Sequence, residues 1–129
     1  MREKIEFTDK INKIELSNSE PSSNADVIAI GWGMQTAKAI FPPLRLYKVT
    51  MKSMRADHCS FYHPGKISKT NICAIGPVGQ GICMGDSGGP LEQNGKLVGI
   101  VSWGLPCAIG YPDVLTSVYH FKTWINNAI

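Results

Sequence analysis

Near the middle of the chain, Gly85-Asp86-Ser87-Gly88-Gly89-Pro90 sets three glycines around one serine. A serine hydroxyl is a weak nucleophile at neutral pH, so chemistry at Ser87 needs a base to take its proton. It also needs donors to hold the charge that develops on the attacked oxygen. Glycines let the backbone N–H groups around Ser87 turn into one small cavity, which suits an oxyanion. His58, His63 and His120 are the histidines on offer, and each reads as a surface or packing residue. Four cysteines, Cys59, Cys73, Cys83 and Cys107, form an even set that suggests two disulfides and an oxidising compartment, with three pairings open. His58, Cys59, His63 and Cys73 could be imagined as a zinc set, but their spacing matches no tight Cys-x2-Cys knuckle. The reading is therefore no metal and no cofactor.

The elements that would carry these residues are mostly strands. Val27 to Ile30 is β-rich and closes on Gly31-Trp32-Gly33, where glycine permits a sharp bend or a close backbone approach. Leu44 to Met51, with Leu44, Leu46, Val49 and Met51 apolar, predicts a second strand, and Lys52 to Tyr62 a short helix. The clearest strand is Lys96 to Trp103. Asn94-Gly95 before it suits a type I′ turn, so Leu91 to Gln93 should pair with it as a hairpin. From Val118 to Ile129, apolar residues at Val118, Phe121, Trp124, Ile125 and Ala128 predict an amphipathic helix that docks one face. Residues 1–25 are the most polar stretch, and Ser17 to Asn24 reads as an exposed connector contributing little to a core.

Short strands punctuated by Gly and Pro, with one terminal helix, argue for an all-β barrel or sandwich. A length of 129 residues with 43% hydrophobic and 18% charged residues fits one compact unit. The net charge of +3 points to neither a nucleic-acid arm nor a polybasic membrane surface. The start, Met1-Arg2-Glu3-Lys4-Ile5-Glu6, lacks the apolar run of about 7 to 15 residues that a signal peptide needs. No stretch approaches the roughly 18 apolar residues of a membrane span.

Taken together, Gly31-Trp32-Gly33, Cys73, Cys83-Met84-Gly85-Asp86-Ser87-Gly88-Gly89-Pro90-Leu91, Leu97 to Gly104, Cys107 and the helix from Tyr119 to Ile125 resemble the C-terminal half of a chymotrypsin-like (trypsin-family) serine protease. They lie in family order over nearly the whole chain. The resemblance implies the second six-stranded Greek-key β-barrel of a double barrel, over residues 26–129, with a C-terminal helix and the first barrel missing. Residues 1–25 would be the interbarrel connector and a remnant of that barrel.

By the same resemblance Ser87 is the nucleophile, and the N–H groups of Gly85 and Ser87 form the oxyanion hole. Asp86 would pair with the ammonium freed by activation cleavage. Cys59 would pair with Cys73, and Cys83 with Cys107. Gly81 would lie at the base of the primary specificity pocket, where trypsin-like members carry Asp. Met84, Ser102, Trp103 and Gly104 would contact substrate, Gly104 leaving the pocket open to large side chains. These features imply a chymotrypsin-like preference. Asp113 stands where many members have glycine; a carboxylate there would add breadth by accepting basic side chains, as in some arthropod chymotrypsin-like members.

What the resemblance lacks here is the base and its aspartate. Neither His58-Cys59 nor the other two histidines match the family's base, and Asp9 falls in the connector. The chain is thus expected to be a fragment of a secreted endopeptidase, inactive alone. It would act on peptide or protein substrates once its first barrel is supplied in cis or trans, and would be open to protease inhibitors. The alternative is a non-catalytic homologue that works by binding or as a decoy. A lone second barrel would also expose an apolar face and self-associate.

Overall fold

The computed structural model describes residues 4–105 and 107–128. Met1 to Glu3 of the chain's start and Ile129 of the terminal helix lie outside the described residues. Seven strands and two helices follow in the order β1 Glu15–Leu16, β2 Asp26–Gly31, β3 Tyr47–Met54, α1 Ala56–Tyr62, β4 Asn71–Ile75, β5 Pro90–Gln93, β6 Lys96–Trp103, β7 Asp113–Ser117 and α2 Val118–Ala128.

Six of the strands close an antiparallel barrel. Around it the order is β2, β3, β4, β7, β6, β5 and back to β2, so two three-strand meanders are joined edge to edge. Closure leaves no exposed edge among these six. Alternation in β2 sends Val27 and Ala29 inward, where they meet Met51, Ile72, Ala74, Leu91, Val98, Val101 and Leu115. The Asn94-Gly95 turn between β5 and β6 has φ of 52° and 76°, the two positive values a type I′ hairpin requires.

The second strand is displaced from its expected place. Pairing runs from Tyr47 opposite Gly31 to Lys52 opposite Asp26, then on to Met54 opposite Cys73, while Leu44 is fully exposed and Leu46 largely so. β2 ends at Gly31, opposite Tyr47, so the residues before Tyr47 have no partner in this ladder. Because the ladder claims Lys52 to Met54, α1 starts only at Ala56. β4 and β7 escaped the strand reading because both are buried on consecutive residues, Ile72 to Ala74 and Asp113 to Leu115, with no alternation to reveal them.

The terminal helix also docks less than its spacing implies. Val118 is buried and Phe121 and Ile125 are half-buried, but Trp124 is 69% exposed and Ala128 is exposed. Periodicity marks an apolar face; it does not say that this chain covers it. The connector, by contrast, is tied down more firmly than its composition suggested. β1 runs parallel to β6, with Glu15 opposite Lys96, and the Ser17 N–H donates to the Leu97 carbonyl at 3.0 Å. The Ser117 hydroxyl donates to Glu20 at 2.9 Å, and Lys122 donates to the Leu16 carbonyl at 3.3 Å and to Asn18. A few of its backbone groups are thus bonded to the barrel and the terminal helix, although most of its side chains remain exposed.

Candidate active site

The serine loop hangs from β6. Gly88 N–H donates to the Val101 carbonyl and Val101 N–H to the Gly89 carbonyl, both at 2.9 Å, and Gly89 N–H closes the turn on the Asp86 carbonyl. Within that turn Gly85 and Gly88 have φ of 96° and 80°, left-handed values that side chains resist. The result presents Ser87 at the surface. Among the described residues, the N–H groups of Gly85 and Ser87 donate to no protein acceptor. Two free backbone donors beside one exposed hydroxyl can stabilise charge on a carbonyl oxygen under attack.

Asp86 sits beneath the loop. Its Oδ1 accepts from Gly33 N–H at 2.8 Å and its Oδ2 from Cys83 N–H at 3.0 Å. A Cβ on Gly31 would lie 2.1 Å from Oδ1, and one on Gly33 2.3 Å from Oδ2. The close approach that the Gly-Trp-Gly element allows is therefore to this carboxylate. Among the described residues no Lys or Arg lies within ion-pair distance of Asp86. It faces a cavity of about 280 Å³ lined in part by Gly33, Lys48, Gln80 and Gly81.

The second carboxylate, Asp113, begins β7 and is 5% exposed. A Cβ on Gly104 would lie 2.5 Å from its Oδ1, and one on Gly81 3.8 Å from its Oδ2. The fold thus brings Gly81, Gly104 and Asp113 to one place. Burial pushes the Asp113 carboxyl up to about 7; a hydrogen bond from Ile82 N–H opposes the shift, and the Asp86 charge adds to it. The loop between Gly104 and Asp113 is held by the Cys83–Cys107 disulfide and by hydrogen bonds from Cys107 N–H to Ile82 O and Gly79 N–H to Ala108 O. Cys107 and Ala108 carry φ of 69° and 56°, a strained path for non-glycine residues. Trp103, 37% exposed, and Ser102 stand at the outer end of β6, and Met84 is 45% exposed beside Gly85.

The disulfides are Cys59–Cys73 and Cys83–Cys107, the pairing that the resemblance implied. All four thiols are consumed, so the imagined zinc set has no thiolates. His58 and His120 are exposed, the ring of the buried His63 is committed to the Pro112 carbonyl, and among the described residues none of the three is hydrogen-bonded to Ser87. Three features of the site went unseen in the sequence: the collar of Gly31 and Gly33 on Asp86, the Ile82 donor to Asp113, and the burial of His63. The repeated glycines were a signal for the first; backbone donors and a single histidine leave none.

A family model described as Trypsin matches residues 1–125. Chymotrypsin-2 of Vespa crabro is 38% identical over 122 residues, covering 94% of this chain and 55% of that protein. Trypsin beta of Drosophila erecta is 39% identical over 127 residues, covering 95% of this chain and 50% of its own. Among solved structures, neuropsin, a serine protease expressed in the limbic system of mouse brain, superposes with a TM-score of 0.92 at 34% identity, over 98% of this chain and 58% of its own. The chain spans about half the length of the relatives it matches.

Proposed function

The chain belongs to the trypsin family, and from that membership we propose that it supplies the nucleophile, oxyanion hole and specificity pocket of a serine endopeptidase. Ser87 attacks the substrate carbonyl, and the N–H groups of Gly85 and Ser87 receive the oxyanion. The observation that carries the reading is the exposed Ser87 beside two backbone donors that no protein acceptor claims. Asp86, held by two N–H groups and facing a cavity, is the carboxylate that an activating ammonium would neutralise. Substrate backbone runs along Ser102 to Gly104, with Met84 at the rim.

Asp113 gives the pocket its breadth. With Gly81 rather than a carboxylate at its base, the pocket accepts aromatic and large aliphatic side chains. The buried Asp113 carboxyl accepts a basic side chain when ionised and an apolar one when protonated.

The base and its aspartate come from outside the described residues, in cis or in trans, because among the described residues none of the three histidines is hydrogen-bonded to Ser87. The exposed apolar residues Trp32, Ile40, Phe41, Leu44, Leu46 and Trp124 support a covering partner of that kind. Two disulfides fit secretion. Among the described residues no helix is long and apolar enough to cross a membrane.

The test joins this chain to the N-terminal half of one of its relatives and follows peptide-anilide hydrolysis and fluorophosphonate labelling. Labelling should appear in the chimera, be absent from the 129-residue chain alone, and vanish in Ser87→Ala. In a triad hydrolase, loss of the nucleophile costs about 10⁶ in kcat. Labelling that survives Ser87→Ala would sink the assignment.

A further inference from the structure

The loop that joins β2 to β3 takes little part in the chemistry above. The two strands pair as far as Gly31 opposite Tyr47, so the chain from Trp32 to Leu46 leaves the barrel as the tip of a hairpin. Its start is tied down, because Gly33 N–H donates to Asp86 and Met34 N–H to the Met84 carbonyl. From Gln35 to Leu46, among the described residues, the one hydrogen bond is local, from Ala39 N–H to the Thr36 carbonyl at 3.1 Å. Ile40 and Phe41 are each 80% exposed and Leu44 is fully exposed, with Pro42 and Pro43 between them. Two prolines with fixed φ stiffen this apolar tip, so little ordering is needed to present it.

The charge around the tip is one-sided. From Val27 to Ala56 the sequence holds Lys38, Arg45, Lys48, Lys52 and Arg55 but no Asp or Glu. Lys52 is paired with Asp26 at 2.8 Å and Arg55 with Asp57 at 3.0 Å. Among the described residues Lys38, Arg45 and Lys48, which flank the tip in the chain, are exposed and have no ion-pair partner. The net charge of +3 averages over the whole chain and hides this segment. Apolar side chains on a stiff tip, with cations beside them, combine the two attractions that hold a protein on an anionic bilayer. A covering first barrel accounts for the apolar residues alone; it does not call for cations kept clear of every acid.

We infer that the loop from Gln35 to Lys48 docks on an anionic lipid surface: Ile40, Phe41 and Leu44 enter the boundary between headgroups and acyl chains, and Lys38, Arg45 and Lys48 meet the headgroup charge. Neither attraction suffices alone. A few apolar side chains give only marginal binding, and cations in water are screened by salt.

The experiment floats the 129-residue chain with vesicles of phosphatidylcholine alone, and of phosphatidylcholine mixed with an equal part of phosphatidylserine. Wild type should partition to the mixed vesicles, and more weakly as salt rises. Ile40→Ser combined with Phe41→Ser should lower the partition coefficient by at least about tenfold. Lys38→Gln, Arg45→Gln and Lys48→Gln should each cost about fivefold. All these residues are exposed, so melting temperatures should match wild type; if the double variant does not fold, Leu44→Ser decides in its place. Trp124→Ser removes an exposed apolar side chain elsewhere and should leave vesicle binding unchanged. Absence of binding to mixed vesicles, or equal binding to both kinds, overturns the inference. So does full binding by the serine variants at the tip, which would mark a site for polyanions only, or an equal loss in Trp124→Ser, which would mean unspecific adhesion. The chimera carrying a first barrel should still bind the mixed vesicles, with or without Ser87 labelling; if it does not, the barrel covers the tip and the inference falls.

Discussion

Asp86 and Asp113 lie in the same end of the barrel, the first hemmed by Gly31 and Gly33 and the second by Gly104, yet they meet different conditions. Asp86 is half-buried, takes one N–H on each oxygen, and fits inside the collar of Gly31 and Gly33. Asp113 is almost wholly buried, takes the Ile82 N–H, and is pushed up to about 7. Gly31 and Gly33 make room for Asp86, and Gly104 for Asp113. Asp86 is fixed in place by its two N–H donors, whereas burial raises the Asp113 carboxyl.

The largest loss of stability that tests this contrast comes from Gly33→Ala, which drives a methyl into the Asp86 carboxylate and disturbs the Gly33 donor. It should cost about 3 kcal/mol of stability and lower the melting temperature by roughly 10 °C, as thermal unfolding followed by circular dichroism would show. A melting temperature within experimental error of wild type would mean the collar is slack.

Next comes Asp86→Asn. One of the two facing N–H groups would then confront an amide NH₂ or lose its charged acceptor, a loss of about 2 kcal/mol measurable by urea unfolding at constant m-value.

The effect that grows from nothing as the pH rises belongs to Asp113→Asn. In the unfolded chain Asp113 titrates at the ordinary 3.8, and in the fold at about 7. Below 3.8 both states are protonated. Between the two values only the folded chain keeps the proton, so stability falls as pH rises, and above 7 the full cost of a buried charge is present. Asp113→Asn should therefore be nearly neutral at pH 4 and stabilising by several kcal/mol at pH 8, on the order of 4 kcal/mol from the linkage, with its stability profile flattened between. A parallel profile for mutant and wild type would refute the raised value.

Much of this site could be read before any coordinates. Three glycines about Ser87, with Gly31-Trp32-Gly33 and the cysteine order, identify a resemblance rich enough to imply the barrel, the helix and both disulfides. The Asn94-Gly95 hairpin is local chemistry, decided by residues that tolerate positive φ. Less legible were the start of β3, set by where its partner β2 ends and not by the apolar pattern, and the strands β4 and β7, whose continuous burial hides the period of two. Trp124 misled for another reason: an apolar stripe records that a face wants cover, and here the described residues leave it 69% exposed.

The sequence by itself determined where glycine, proline and the turn formers must bend or break the chain, and which side chains carry chemistry, because those properties belong to single residues and their immediate neighbours. Tertiary structure decided what each chemical group experiences. Asp86 and Asp113 are the same residue type, each with glycine close against it, and only long-range packing could give one a pair of N–H donors and bury the other until its carboxyl is raised to about 7. It likewise took the fold to bring His63, read from the sequence only as a surface or packing histidine, against Trp103 and Pro112, since hydrogen-bond reach and desolvation depend on distances in space.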